Sequence, residues 1–144
     1  AGILLKENVK VGLLTVSRED AITAAGKMLV ASGYVDEGYV QGMLNREKDL
    51  STYIGKGIAI PHGENAVKDT IKKTGIVVCQ YPEGVKFGDE TAHLVIGIAG
   101  VGNDHLAILA NIATMVGDYT DEQLAELFKT KSADELYEVF TKAD

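Results

Sequence analysis

The stretch Thr74-Gly75-Ile76-Val77-Val78-Cys79-Gln80-Tyr81 decides the fold of this chain. Its centre, Ile76 to Cys79, is apolar at every position and rich in β-branched side chains. A strand turns successive side chains to opposite faces, so an unbroken apolar run predicts a strand covered on both sides. Leu94-Val95-Ile96-Gly97-Ile98, inside a segment from His93 to Gly100, predicts a second buried strand. The link between the two is too short for a helical crossover, which predicts some antiparallel pairing. Within that link Tyr81-Pro82-Glu83-Gly84 reads as a turn and Val85-Lys86-Phe87 as a short edge strand.

Helical patterns flank these strands. Upstream, the alternation of Val9, Val11 and Leu13 suggests a first strand. Ser17 then has the form of an N-cap, with Asp20 three residues on. Ile22, Ala25, Gly26, Leu29 and Val30 follow at helical spacing, and Gly33 is a stop. Asp36 reads as the cap of a second helix with Tyr39, Val40, Met43 and Leu44 on its apolar face and Arg46 to Asp49 as its charged end. Leu50 to Gly57 reads as a linker, and Asn65 to Asp69 as a turn or short helix. Three helices are expected downstream. The first is capped by Asn103, with Leu106, Leu109, Ala110, Ala113 and Val116 inward. The second starts on the capping box of Thr120 and Gln123, and the third on Ser132 and Glu135. Helices before and after a central group of strands predict an α/β fold with a single mixed β-sheet flanked by helices on both faces. One domain over residues 1–144 is expected.

A further short run, Gly57-Ile58-Ala59-Ile60-Pro61-His62-Gly63, carries the chemistry. Pro61 has no N–H for a sheet and pushes Ile60 toward an extended conformation, so the strand ends there. His62 is left at the strand's mouth, beside a glycine that allows a turn and a close approach. The residues alone leave two readings open: a reactive imidazole, or a histidine in a loop. His93, at the entry to a buried strand, reads as structural or solvated. His105 falls in the first turn of a helix, where free N–H groups and the dipole favour an anion and a neutral imidazole; the other reading is an exposed polar residue. Together with Arg46, His62 and His105 could supply the roles of a phosphorylatable histidine and its neighbours. Such a site needs a neutral nitrogen to attack phosphorus, a hydrogen bond fixing the tautomer, and donors for the phosphoryl oxygens.

Composition narrows the alternatives. The net charge is −7 with no basic cluster, a poor match to nucleic acid but compatible with a basic protein partner. Three scattered histidines and a single cysteine argue against a zinc site and forbid an internal disulfide. Cys79 lies in an apolar run and reads as a small core residue rather than a thiolate. No Gly-rich phosphate loop or dinucleotide fingerprint is present, and no cofactor or metal is expected. No apolar run approaches the roughly 20 residues that span a bilayer, and no signal peptide is recognisable, so a cytoplasmic location is expected.

The motif Gly57 to Gly63 resembles the phosphorylation site of enzyme IIA proteins of the bacterial phosphoenolpyruvate-dependent sugar phosphotransferase system, in the mannitol/fructose subclass that includes nitrogen-regulatory IIA proteins. Thr74 to Val85, Leu94 to Ala99 and Asn103 to Leu106 resemble the mannitol branch in particular, and Gly33 to Val35 and Met43 to Glu47 also fit. The resemblance implies that His62 accepts a phosphoryl group from the histidine carrier protein HPr, at the ring nitrogen distal from the backbone, and passes it to an enzyme IIB domain. It implies that His105 and Arg46 are active-site neighbours. It places the sugar elsewhere, in a membrane IIC domain, so that this chain looks like a stand-alone IIA. Lys56 stands where some relatives carry acidic or polar residues, and would alter the charge near the site. The alternative is a fructose-type or nitrogen-regulatory IIA whose phosphorylation state regulates partner proteins.

Overall fold

The structure, a computed structural model, describes residues 3–141. Five strands form one sheet: β1 (Leu4–Lys10), β2 (Tyr53–Gly55), β3 (Ile58–Ala59), β4 (Gly75–Phe87) and β5 (Glu90–Ala99), in the order β1-β4-β5-β3-β2. Pairings alternate in sense. The β1–β4 and β3–β5 pairs are parallel, whereas β4–β5 and β2–β3 are antiparallel. The expected mixed sheet is therefore present. The continuously apolar runs lie at its centre, and their alternate side chains feed two cores. Val77, Cys79, Val95 and Ala99 face a layer built on α1 (Arg18–Ala31) and α2 (Gly38–Asp49). Ile76, Val78, Leu94, Ile96 and Ile98 face α3 (Asp104–Asp118), α4 (Asp121–Lys129) and α5 (Ala133–Thr141). Period two in the strand thus becomes two helical layers.

Helix starts follow local chemistry where a side chain is free to cap. Ser17 accepts from the Asp20 N–H, and Thr120 with Gln123 forms a full capping box. Asp36 does not cap α2. Its carboxylate pairs with Lys72 at 3.0 Å, and the helix begins after Glu37 without a side-chain cap. Glu47 also departs from expectation: it is buried, not part of a solvated charged end. On α3 the buried stripe is Ile108, Ile112 and Val116, spaced by four, while Leu106 is 56% exposed. Two residues along a helix is a rotation of about 200°, so Leu106 cannot share the face of Ile108.

Two loop assignments change as well. Tyr81 to Gly84 is not a turn, because β4 runs through it as a bulge. Gln80 pairs with Leu94 and Val85 with Ala92, so β4 carries the extra residues. Pro82 has no N–H to lose from the ladder, which makes a bulge a permitted site for it. The true turn is the two-residue loop Gly88-Asp89, with Gly88 at φ +67°, as a type II′ hairpin requires. The predicted linker Leu50 to Gly57 contains β2, and Val11 and Leu13 lie beyond the end of β1. Among the described residues no helix is long and apolar enough to cross a membrane.

Candidate functional site

His62 sits just beyond the end of β3. Its backbone still belongs to the sheet's edge: the Ile98 N–H donates to the Pro61 carbonyl at 2.9 Å, and His62 bridges to Ile98 in parallel register. The imidazole turns back on its own strand, with Nδ1 2.9 Å from the Ile60 carbonyl oxygen. A carbonyl can only accept, so Nδ1 carries the proton and Nε2 keeps its lone pair. Burial holds the pKa of His62 below its ordinary value, and the charges of Arg46 and His105 push the same way. The Ile60 hydrogen bond and Glu47 oppose the shift without reversing it. The result is a neutral ring of fixed tautomer with a nucleophilic distal nitrogen.

Arg46 and His105, singled out from sequence, line the same pocket as His62. It has a volume of about 340 Å³, and its walls include Tyr39, Lys68 and Gly100. The ring centres of His62 and His105 are 6.4 Å apart, with planes inclined by 33°. His105 lies in the first turn of α3, and its buried Nδ1 has no hydrogen-bond partner among the described residues. The Arg46 guanidinium donates through Nη1 to the Leu50 carbonyl at the C-terminal end of α2. A lone pair, a guanidinium, a second imidazole and a helix N-terminus therefore surround one space. Such a set can hold a tetrahedral anion beside a nucleophilic nitrogen.

The scaffold around this space is tightly specified. The Tyr39 hydroxyl donates to the Ile98 carbonyl at 2.6 Å and accepts from the Gly63 N–H at 2.8 Å. Burial pushes its pKa up to about 12, so it stays protonated and keeps donating. A Cβ on Gly63 would lie 2.5 Å from the Tyr39 ring, so only glycine fits after His62. Gly100 is required for a similar reason: a Cβ there would stand 2.4 Å from the His105 backbone nitrogen. The loop leading into α3 is tied down by Thr74, which donates to Asp104 Oδ2 at 2.7 Å and accepts from the Val101 N–H at 3.0 Å. Tyr39 was legible only as an apolar-face residue. The available signal was its type, since a buried tyrosine hydroxyl normally finds a partner.

The remaining chemistry-bearing residues lie elsewhere. His93 Nδ1 is 3.2 Å from the carbonyls of both Tyr81 and Pro82, and its ring stacks on Phe128 at 4.9 Å; it braces the β4 bulge. Cys79 is buried, and burial pushes its thiol up to about 12. Lys56 is not among the residues lining the His62 pocket. It borders a separate groove with Ile54, Ile60, Leu109 and Val116. Among the described residues no cluster of three or more metal-ligating side chains occurs.

Comparison with known proteins adds a family. The chain is 41% identical over 143 residues to the mannitol-specific phosphotransferase enzyme IIA component of Bacillus subtilis, covering 99% of each. It is 45% identical over 139 residues to the PTS system mannitol-specific EIICBA component of Klebsiella pneumoniae, covering 94% of this chain but only 22% of that longer protein. A solved complex of enzyme IIAMTL and phosphorylated enzyme IIBMTL from Escherichia coli superimposes with a TM-score of 0.88 at 43% identity, over 94% of this chain and 95% of that one. Residues 2–143 match the family described as phosphoenolpyruvate-dependent sugar phosphotransferase system, EIIA 2, and the chain belongs to that family.

Proposed function

We propose that this chain is a cytoplasmic phosphoryl carrier, a single enzyme IIA domain over residues 1–144. In this reading His62 takes a phosphoryl group from phospho-HPr and gives it to a mannitol-type enzyme IIB domain. The observation that carries the reading is the 2.9 Å contact between Nδ1 of His62 and the Ile60 carbonyl, which leaves Nε2 free in a pocket shared with Arg46 and His105. Nε2 attacks phosphorus, the N–P bond of the donor breaks, and the donor imidazole leaves with the electron pair. Nδ1 keeps its proton throughout. The phosphorylated ring then carries a positive charge delocalised toward Nδ1, which the Ile60 carbonyl stabilises. A ring protonated in this way is also a good leaving group for onward transfer. Arg46 and His105 act on the phosphoryl oxygens, whose charge builds up in the transition state.

The mannitol branch is favoured by relatives described as mannitol-specific at 41% and 45% identity. The solved complex with a phosphorylated IIB supports that type of acceptor. The test is to incubate the chain with phosphoenolpyruvate, enzyme I and HPr, then add a mannitol-type IIB. An acid-labile phosphoryl adduct is expected, lost in His62→Ala and discharged by IIB. His105→Ala and Arg46→Ala should slow its formation while leaving the fold intact. Undiminished labelling of His62→Ala would sink the assignment, and an adduct that IIB cannot discharge would point to a regulatory IIA.

A further inference from the structure

Glu47 is the only buried carboxylate among the described residues, at 5% exposure, and beyond the opposing pull of its charge on His62 the chemistry above gives it no role. Its Oε2 is buried with no hydrogen-bond partner, and no ion pair among the described residues involves it. Carboxylates are kept out of water only at a cost, which a packed apolar side chain would avoid. The cost is accompanied by a specific connection. Oε1 accepts from the Thr52 N–H at 3.0 Å and from the Thr52 hydroxyl at 2.5 Å. The Thr52 carbonyl accepts from the Ile60 N–H at 3.0 Å. The Ile60 carbonyl, in turn, holds Nδ1 of His62 at 2.9 Å. Thr52 is itself buried, so water does not compete for these bonds.

Resting on the phosphoryl-carrier reading, we propose that Glu47 is a positioning residue for His62. Through Thr52 and Ile60 it sets the place of the carbonyl that keeps Nδ1 protonated and Nε2 free. Helix α2 then serves the histidine from both sides. Tyr39 fixes the backbone after it at Gly63, and Glu47 fixes the strand before it at Ile60. Removing the anchor lets Ile60 drift from Nδ1. The proton can then move to Nε2, where it blocks attack on phosphorus. A role confined to closing the α2–β2 loop would affect melting and nothing at the ring.

The experiment uses the full chain with nitrogen-labelled histidine, in the wild type and in Glu47→Leu, Thr52→Val and Thr52→Ser. Ring-nitrogen NMR shifts report which nitrogen carries the proton, and phospho-HPr provides the rate of phosphoryl uptake. In the wild type the Nδ1–H form of His62 should dominate. Thr52→Val and Glu47→Leu, each of which removes a bond of the anchor, should show a mixture of tautomers and uptake slowed by about tenfold or more, because small displacements of a reacting group cost that much. Thr52→Ser, which keeps the hydroxyl, should behave as the wild type. If either of the first two variants fails to fold, the other carries the test. Folded variants with wild-type ring shifts and uptake within about twofold would overturn the proposal, whatever their melting temperature. If the wild type takes up no phosphoryl group, the carrier reading fails, and the ring shifts still judge the positioning role.

Discussion

For the single residue His62, reactivity depends on a ring that is neutral and protonated on one side only. Its folded pKa lies below the ordinary imidazole value of about 6.5, chiefly through burial. The unfolded chain therefore binds the proton first as pH falls. The neutral ring's contribution to stability is intact above about 6.5 and is lost progressively below it, toward the folded pKa. An NMR titration should find His62 half-protonated below 6.5. The fall in stability between neutral and mildly acidic pH should be shallower in His62→Gln. A His62 midpoint at or above 6.5 would contradict the burial argument. Tyr39 supplies the second residue-level test. Tyr39→Phe leaves the Gly63 N–H and the Ile98 carbonyl without their partner. It should cost about 2 kcal/mol in urea unfolding, the usual penalty for unpaired buried polar groups, and should slow phosphoryl uptake.

Elements explain why this histidine stands where it does, and here the sequence was only partly readable. The strand ending at Pro61 was visible because proline punctuates the pattern. The hairpin feeding it was not. β2 and β3 are joined by a two-residue loop, Lys56-Gly57, in which both residues have positive φ, +54° and +81°. That geometry belongs to a type I′ turn, which favours Asn-Gly, so a lysine conceals it. Lys56→Asn should remove the left-handed penalty and stabilise the protein by about 1 kcal/mol. Calorimetry should then show melting raised by roughly 2–4 °C. No change would mean that the lysine is not strained. The β4 bulge misleads in the opposite way. Pro82 and Gly84 carry turn chemistry, but the partner strand β5 continues alongside, and tertiary pairing overrides the local signal. Glu47 and Thr52 were hidden for a third reason: a buried acid looks like any other acid in a charged stretch, and only the fold shows that it faces inward.

Over the whole molecule, the central apolar runs were enough to predict a sheet covered on two faces. Each run supplies alternate side chains to two separate cores, one under α1 and α2 and the other under α3, α4 and α5. The site lies where these layers meet. Arg46, Tyr39 and Glu47 come from α2 on one side, His105 from α3 on the other, and His62 from the strand between them. Sequence could nominate His62, Arg46 and His105 by residue type and motif. Their meeting depends on β3 pairing with β5, which no local pattern encodes. The most direct test is therefore the position of the phosphoryl group itself. Phosphorus–nitrogen correlation NMR on the chain labelled through phospho-HPr should place phosphorus on Nε2 of His62, with Nδ1 still protonated. Phosphorus on Nδ1, or on His105 or His93, would contradict the account.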